Sequence, residues 1–183
     1  VAGNHEVGLD ESHFARPDIK ARWKIQSAPQ DLPGRLKRRI RQTGAHYLED
    51  QAVTLLIQKG GAGSPIPLSL YGSPVQPGFH DWAFQKEAGG PLRDHWAAIP
   101  EAVDVLVTHG PAHGRGDRLQ ETGRPAGCPD LLREIQERIR PTLHLFGHLH
   151  GDTESDSFDG ATAYINAALC DHQNRLRMDA RVK

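Results

Sequence analysis

The feature that most limits how this chain can fold is the order of apolar segments in its second half. Residues 104–108, 142–146 and 161–166 are short apolar runs, and each of them predicts a buried strand. Between the first two, residues 129–139 carry apolar side chains at about every fourth position, which predicts a helix that Pro141 ends. Strand, helix and strand in this order favour an α/β fold with helices layered on a sheet.

The first half of the chain is more polar and richer in turns. Residues 53–57 and 68–71 predict two further strands, and glycine- and proline-rich turns follow both of them. Leu36 and Ile40 lie four positions apart in a basic stretch, residues 35–41, so that stretch is predicted to be helical. A length of 183 residues suffices for one domain, and we expect residues 1–183 to form a single one.

Charge and composition exclude several classes of function. Lys and Arg number 22 against 23 Asp and Glu, so the net charge of −1 gives no general attraction to nucleic acid or to an anionic membrane. The sequence contains no apolar stretch long enough to predict a membrane span. The 2 cysteines are too few for a disulfide framework, and a cytoplasmic protein is the expectation.

Histidine is the unusual residue of this sequence, with 11 copies, half the number of Lys and Arg together. Several of them lie in glycine-flanked motifs that follow apolar segments: Gly3-Asn4-His5-Glu6, Thr108-His109-Gly110-Pro111 and Gly147-His148-Leu149-His150. Strand ends at one edge of a sheet converge, so these motifs are expected to meet. Each motif alone fits an ordinary turn or an exposed histidine pair, but together they favour a metal site. Imidazole suits Zn, Fe, Ni and Cu, and the side-chain oxygen of Asn4 widens the choice towards Mn or Fe.

These motifs resemble the third, fourth and fifth motifs of the calcineurin-like metallophosphoesterases. The similarity is stronger to the UPF0046-like branch of metallophosphoesterase-domain proteins, and it extends through nearly the whole chain. The further segments that carry it are Tyr47-Leu48-Glu49-Asp50, Gly72-Ser73-Pro74-Val75-Gln76-Pro77, Trp82-Ala83-Phe84, Trp96 with Ile99-Pro100, residues 104–111, Gly127-Cys128 and Tyr164-Ile165-Asn166-Ala167.

The resemblance implies a layered β-sandwich flanked by helices and a centre of two divalent metal ions, Mn, Fe or Zn. Asn4, His109 and His148 would hold one ion, and His150 would reach the other. A hydroxide bound by both ions would attack a phosphoester. His5 would protonate the leaving oxygen, and Asn4 and His5 would both contact the substrate.

The same resemblance implies a departure from the family pattern. An Asp-x-His motif and a Gly-Asp motif, which supply carboxylate ligands in this family, are expected before Gly3 and are not in this sequence. We therefore expect a domain that is incomplete at its N-terminus and lacks its first strands. We also expect one metal ion or none to be held firmly, little turnover, and an exposed strand edge that promotes association.

The leading functional hypothesis is a metal-dependent phosphoester hydrolase whose substrate is a small molecule, in particular a cyclic-nucleotide phosphodiester. The alternative is a non-catalytic binding or regulatory remnant of the fold. A third hypothesis, nucleic-acid binding by residues 35–41, is disfavoured because no aromatic residue interrupts the basic run.

Several other side chains have an open or a structural interpretation. His113 follows the His109 strand and is a candidate substrate contact, although a solvated loop residue is the simpler interpretation. Trp82, Phe84 and Trp96 are expected to cover the core rather than to stack on a base. His144 alternates with two leucines, so it is expected to face the other side of its strand and to bond a neighbour.

Overall fold

The computed structural model describes residues 1–58, 60, 63–151, 156–170, 173 and 175–176. Its strands are β1 (Gln51–Ile57), β2 (Ile66–Ser73), β3 (Gln76–Pro77), β4 (Gln85–Lys86), β5 (Val105–Thr108), β6 (Leu143–Phe146), β7 (Ser157–Phe158) and β8 (Ala163–Asn166). Its α-helices are α1 (Glu11–Phe14), α2 (Pro17–Arg22), α3 (Leu32–Gln42), α4 (Gly90–Ala97) and α5 (Pro129–Glu134), and a π-helical turn, Ile135–Ile139, extends α5.

The centre of the fold is a six-stranded sheet in the order β1-β2-β5-β6-β8-β7. Strands β2, β5, β6 and β8 run parallel, whereas β1 and β7 pair antiparallel with their neighbours at the two edges. Because four neighbouring strands are parallel, their carboxyl ends lie at one edge of the sheet. A separate ribbon pairs β3 with β4.

The two faces of the central sheet differ in burial. Leu106, Phe146 and Tyr164 are at most 3% exposed and share a core cluster with Trp96 of α4 and Leu131 of α5. Alternate residues of a strand point to opposite faces, and the residues between these, such as Val105 and Leu143, are only half-buried. The helices therefore cover one face, and the predicted α/β class with helices flanking a sheet is confirmed.

The helix predicted from residue 129 is present, but its last turn is π-helical. That turn ends at Arg140, which has a left-handed φ of 48° and donates its amide to the carbonyl of Ile135. Arg138 in the same turn donates to the carbonyls of Trp96 and Ile99 at 3.0 and 2.6 Å. Arg138 thus ties the π-helical turn to the end of α4, where the Trp96 carbonyl also accepts the Ile99 amide.

The first fifty residues and the loop around Phe84 build a second, smaller apolar cluster. Ile19, Tyr47 and Phe84 belong to it, together with Ala2 and Val7 of the N-terminal loop. These contacts fix the segment that contains Asn4 and His5 against the loop that contains Phe84. The N-terminal motif is therefore part of a packed unit.

The basic stretch 35–41 lies in α3, and two of its charges face acidic partners. Lys37 is buried and contacts Glu49 and Glu11 at 2.8 and 3.2 Å. Arg35 contacts Asp31 at 2.7 Å. None of the helices in the described part of the chain is long and apolar enough to cross a membrane.

Candidate metal centre

The candidate site begins where β5 and β6 end. The His109 amide donates to the carbonyl of Ser73, the last residue of β2, at 3.2 Å. The Gly147 amide then donates to the carbonyl of His109 at 2.9 Å, so the parallel pairing continues past the strand ends. As a result, the rings of His109 and His148 lie 4.7 Å apart between their centres.

Asn4 joins this pair from the N-terminal loop. Its side chain is buried, and Oδ1 lies 2.8 Å from Nε2 of His109. The loop turns tightly because the Glu6 amide donates to the Gly3 carbonyl and the Glu6 carboxylate accepts the Gly3 amide. A Cβ on Gly3 would lie 2.3 Å from Cε1 of His109, so the close approach of this loop requires glycine.

The backbone of His148 is held in an unusual conformation. Its φ of 69° lies in the left-handed region, which is uncommon for any residue other than glycine. Asn166, at the end of β8, donates to the carbonyl of Leu149 at 2.8 Å and to that of Gly116 at 3.1 Å. This clamp stabilises the loop that presents His148, and strain of this kind is common at functional sites.

Burial keeps the two central histidines neutral near pH 7. Burial, together with the neighbouring His148, His5 and His150 in that order, lowers the pKa of His109 to about 3. Burial likewise lowers the pKa of His148 to about 4, with His150 and His5 as additional causes. Neutral imidazoles have a free nitrogen lone pair, which is the form that binds metal ions.

The remaining predicted residues surround this centre less closely. His150 lies near enough to affect the charge state of both central histidines and is half-buried. His5 is exposed, and its ring centre lies 4.6 Å from that of Trp82. His113 has a 44% exposed side chain whose Nδ1 lies 3.7 Å from the buried carboxylate of Asp117.

The side chains of this centre supply some, but not all, of the ligands that a metal ion requires. Within the described residues, no group of three or more His, Cys, Asp or Glu side chains is arranged to hold an ion. Asn4 adds an amide oxygen to the imidazoles of His109 and His148. This mixed set of nitrogen and oxygen donors fits one ion of the Mn, Fe or Zn type in its chemistry, with a coordination shell that these three side chains only partly fill.

A second polar cluster near the same edge was not predicted as a unit. The Ser73 hydroxyl donates to Asp50 at 2.6 Å, and Nε2 of His95 lies 3.1 Å from the hydroxyl and 3.2 Å from the carboxylate. In a serine hydrolase, one nitrogen of the histidine contacts the serine and the other contacts the carboxylate, so the ring can accept the serine proton. Here Nε2 of His95 faces both groups, so this arrangement is not present. The cluster holds the end of β2, whose Ser73 carbonyl accepts the His109 amide.

The sequence contains only a partial signal for this cluster. Asp50 and Ser73 both lie in motifs that carry the family resemblance, but nothing in their spacing pairs them with His95.

The prediction that three aromatic residues cover the core is correct for two of them. Trp96 and Phe84 are 0% and 7% exposed. The prediction is wrong for Trp82, which is only half-buried and whose ring contacts His5 and Trp23. Residues 78–82 have neither the alternation of a strand nor the period of a helix. This irregular pattern favours a surface loop and could have predicted the position of Trp82.

The buried His144 behaves as predicted. It faces the side of its strand opposite to its leucine neighbours, and its Nε2 lies 2.8 Å from the hydroxyl of Thr108. Burial lowers its pKa to about 3, so the ring is neutral. It supports β5, which ends at Thr108 directly before His109.

Comparison with known proteins places the chain among named relatives, although no family model matches it. It is 35% identical over 171 residues to human metallophosphoesterase domain-containing protein 1, covering 93% of this chain and 49% of that protein. Two UPF0046 proteins of Caenorhabditis elegans are each 32% identical, over 97% and 98% of this chain and 43% and 58% of their own lengths.

The chain thus spans about half the length of the curated relatives that it matches. The alignment to the human protein covers 93% of this chain, in agreement with motifs that are spread from Gly3 to Ala167. The chain belongs to the metallophosphoesterase-domain family, in its UPF0046 branch.

Proposed function

We propose that the protein containing this chain is a metal-dependent phosphoester hydrolase. The observation that carries the proposal is the convergence of Asn4, His109 and His148, three side chains far apart in sequence. The names of the relatives support the same general class. A phosphodiester of a cyclic nucleotide is the substrate we propose.

In this proposal, Asn4, His109 and His148 hold one divalent ion, Mn, Fe or Zn, and His150 contributes to a second. A bound divalent ion polarises phosphoryl oxygens and lowers the pKa of water. The protein's own contribution is to present neutral donors in fixed positions. Gly3 allows Asn4 to approach His109, and Asn166 holds the loop of His148.

His5 is the proposed general acid. It is exposed at the rim of the centre, and a tilted contact with the Trp82 ring limits its orientations. From this position, it would donate a proton to the leaving oxygen as the phosphorus–oxygen bond breaks. The amide nitrogen of Asn4 and the imidazole of His113 are the further proposed contacts to the substrate.

A second candidate function is a binding or regulatory protein that retains the fold without turnover. The described residues provide no group of three acidic, histidine or cysteine ligands, and this observation favours the second candidate. It differs from the hydrolase in one measurable respect. It would bind a metal ion or a phosphoester without converting the phosphoester.

The test is hydrolysis of bis(4-nitrophenyl) phosphate with added Mn²⁺, using this chain and any longer product of the same gene. We expect Mn²⁺-dependent hydrolysis that His109→Ala lowers by about 100-fold or more, because a ligand that fixes the site is lost. The control is His80→Ala, an exposed histidine outside the centre, which should retain the rate.

Equal Mn²⁺-dependent rates in His109→Ala and in the unmodified protein would refute the assigned site. If no form hydrolyses the ester while Mn²⁺ still binds in a His109-dependent manner, the non-catalytic candidate is correct.

A further inference from the structure

We propose that Trp82 and Trp23 form an aromatic platform beside His5 that stacks the nucleobase of a nucleotide phosphoester. The proposal rests on the proposed function, which supplies the phosphate end of the ligand, and it adds the residues that would bind the base. Nothing in the names of the relatives describes such a subsite.

The platform is a cluster of three rings that reaches the surface. The centre of the Trp82 ring lies 4.6 Å from that of His5 and 5.4 Å from that of Trp23. Trp23 is 37% exposed, a large fraction for a residue type that is highly buried on average. Proteins bind nucleobases by stacking them on exposed aromatic side chains close to the groups that bind the phosphate.

The platform is tied directly to the candidate metal centre. The amide of Ala83, the residue after Trp82, donates to the carbonyl of Asn4 at 3.2 Å. The next amide, that of Phe84, donates to the Asp10 carboxylate at 2.6 Å. Trp82 therefore has a fixed position relative to Asn4. A fixed distance is required if one ligand is to bind the metal centre through its phosphate and the platform through its base.

The loop that carries Trp82 is held in a strained conformation. His80, Asp81 and Phe84 all have left-handed φ values, between 52° and 54°. A bidentate contact holds the loop in this conformation: the Arg16 guanidinium donates to both oxygens of Asp81, at 2.6 and 2.9 Å. Strained backbone held by outside contacts is common in ligand-binding loops.

The charges around the platform favour binding of an uncharged aromatic ring of the ligand rather than of a second phosphate group. Arg16 contacts Asp81 and Asp18, and Arg22 lies 3.6 Å from Oδ2 of Asp81. These cations are therefore paired with carboxylates, and the rings themselves offer flat apolar faces. A purine or pyrimidine fits such a surface better than a sugar phosphate.

Tryptophan fluorescence provides the test. The chain has 3 tryptophans, and Trp96 is fully buried, so quenching by a stacked base reports on Trp23 and Trp82. Adenosine 5′-monophosphate and ribose 5-phosphate are titrated in parallel, with Mn²⁺ present. We expect quenching by the nucleotide and tighter binding of the nucleotide than of the sugar phosphate.

Trp82→Ala should weaken nucleotide binding by about 5- to 150-fold and weaken ribose 5-phosphate binding much less, because only the base is stacked. Trp82→Phe keeps an aromatic face and should retain most of the preference, which shows that loss in the alanine variant is not unfolding. Phe79→Leu is the control, since Phe79 is 64% exposed in the same loop and its ring contacts His80 rather than the platform.

The outcomes separate this inference from the proposed function. Equal affinity for the nucleotide and the sugar phosphate in the unmodified protein would overturn the platform, even if phosphoester hydrolysis is observed. Equal losses of both ligands in Trp82→Ala would also overturn it. Nucleotide stacking that depends on Trp82 without any hydrolysis would support the platform and refute the hydrolase.

Discussion

Replacing Gly3 by alanine tests how closely the N-terminal loop approaches His109. The new Cβ would lie 2.3 Å from Cε1 and 2.4 Å from Nδ1 of that ring. Ordinary carbon contacts are about 3.5 Å or longer, so the ring or the loop has to move by about 1 Å. The ring has little freedom, because it is partly buried and its Nε2 lies 2.8 Å from Asn4.

The substitution should affect both stability and the metal centre. Inserting a carbon into a packed site costs about 1–3 kcal/mol of unfolding free energy. A displacement of about 1 Å at the reacting centre lowers a catalytic rate by about 100-fold. We therefore expect Gly3→Ala to lower the urea midpoint and to weaken both Mn²⁺ binding and phosphodiester hydrolysis.

Gly34→Ala is the matched control, since Gly34 lies inside α3 and a Cβ added there would have no neighbouring atom within 4 Å. Alanine there should stabilise the protein by about 0.5–1 kcal/mol, because it favours a helix over the unfolded chain. The reasoning is refuted if Gly3→Ala matches the unmodified protein in urea midpoint and in Mn²⁺ affinity.

Three further predictions concern acid stability, the His148 loop and self-association. The folded-state pKa of His144 is about 3 because the ring is buried, so its contribution is fully present above the unfolded value of about 6.5 and is lost as the pH falls. His144 alone should therefore lower the unfolding free energy by about 2 kcal/mol between pH 7.5 and pH 5, with the buried His109 and His148 acting in the same direction, and equal urea midpoints at the two pH values would contradict this. Asn166→Ala should release the carbonyls of Leu149 and Gly116 and cost about 1–3 kcal/mol, with weaker Mn²⁺ binding, whereas an unchanged affinity would mean that the clamp does not position His148. Leu56→Lys should reduce self-association in sedimentation experiments, because Leu56 is 71% exposed on edge strand β1 and a charge there opposes strand pairing; Thr54→Lys, also an exposed position of β1, should act in the same direction.

The sheet and the strand-end site could be predicted because both follow from local patterns. Val105 to Thr108 alternates between the two faces of the sheet and is followed at once by His109, so the strand and its motif are visible together. Parallel order then brings His109 and His148 to one edge. The family motifs supplied Asn4, which no local pattern connects with those histidines.

The remaining features depend on contacts between distant segments, which local patterns do not encode. The position of Trp82 is set by the pairing of Arg16 with Asp81 and by the bond from Ala83 to Asn4. The π-helical turn after α5 lies within a stretch whose apolar spacing predicts an ordinary helix. Its Arg138 contacts to α4 become visible only once the two helices are packed.

The claim that Asn4, His109 and His148 form a metal-binding centre is tested most directly by calorimetric titration of Mn²⁺ into the unmodified chain and its His109→Ala variant. We expect binding by the unmodified chain that the variant weakens by about 10-fold or more, since one nitrogen donor of the set is removed. Equal Mn²⁺ affinity of the two proteins would contradict it.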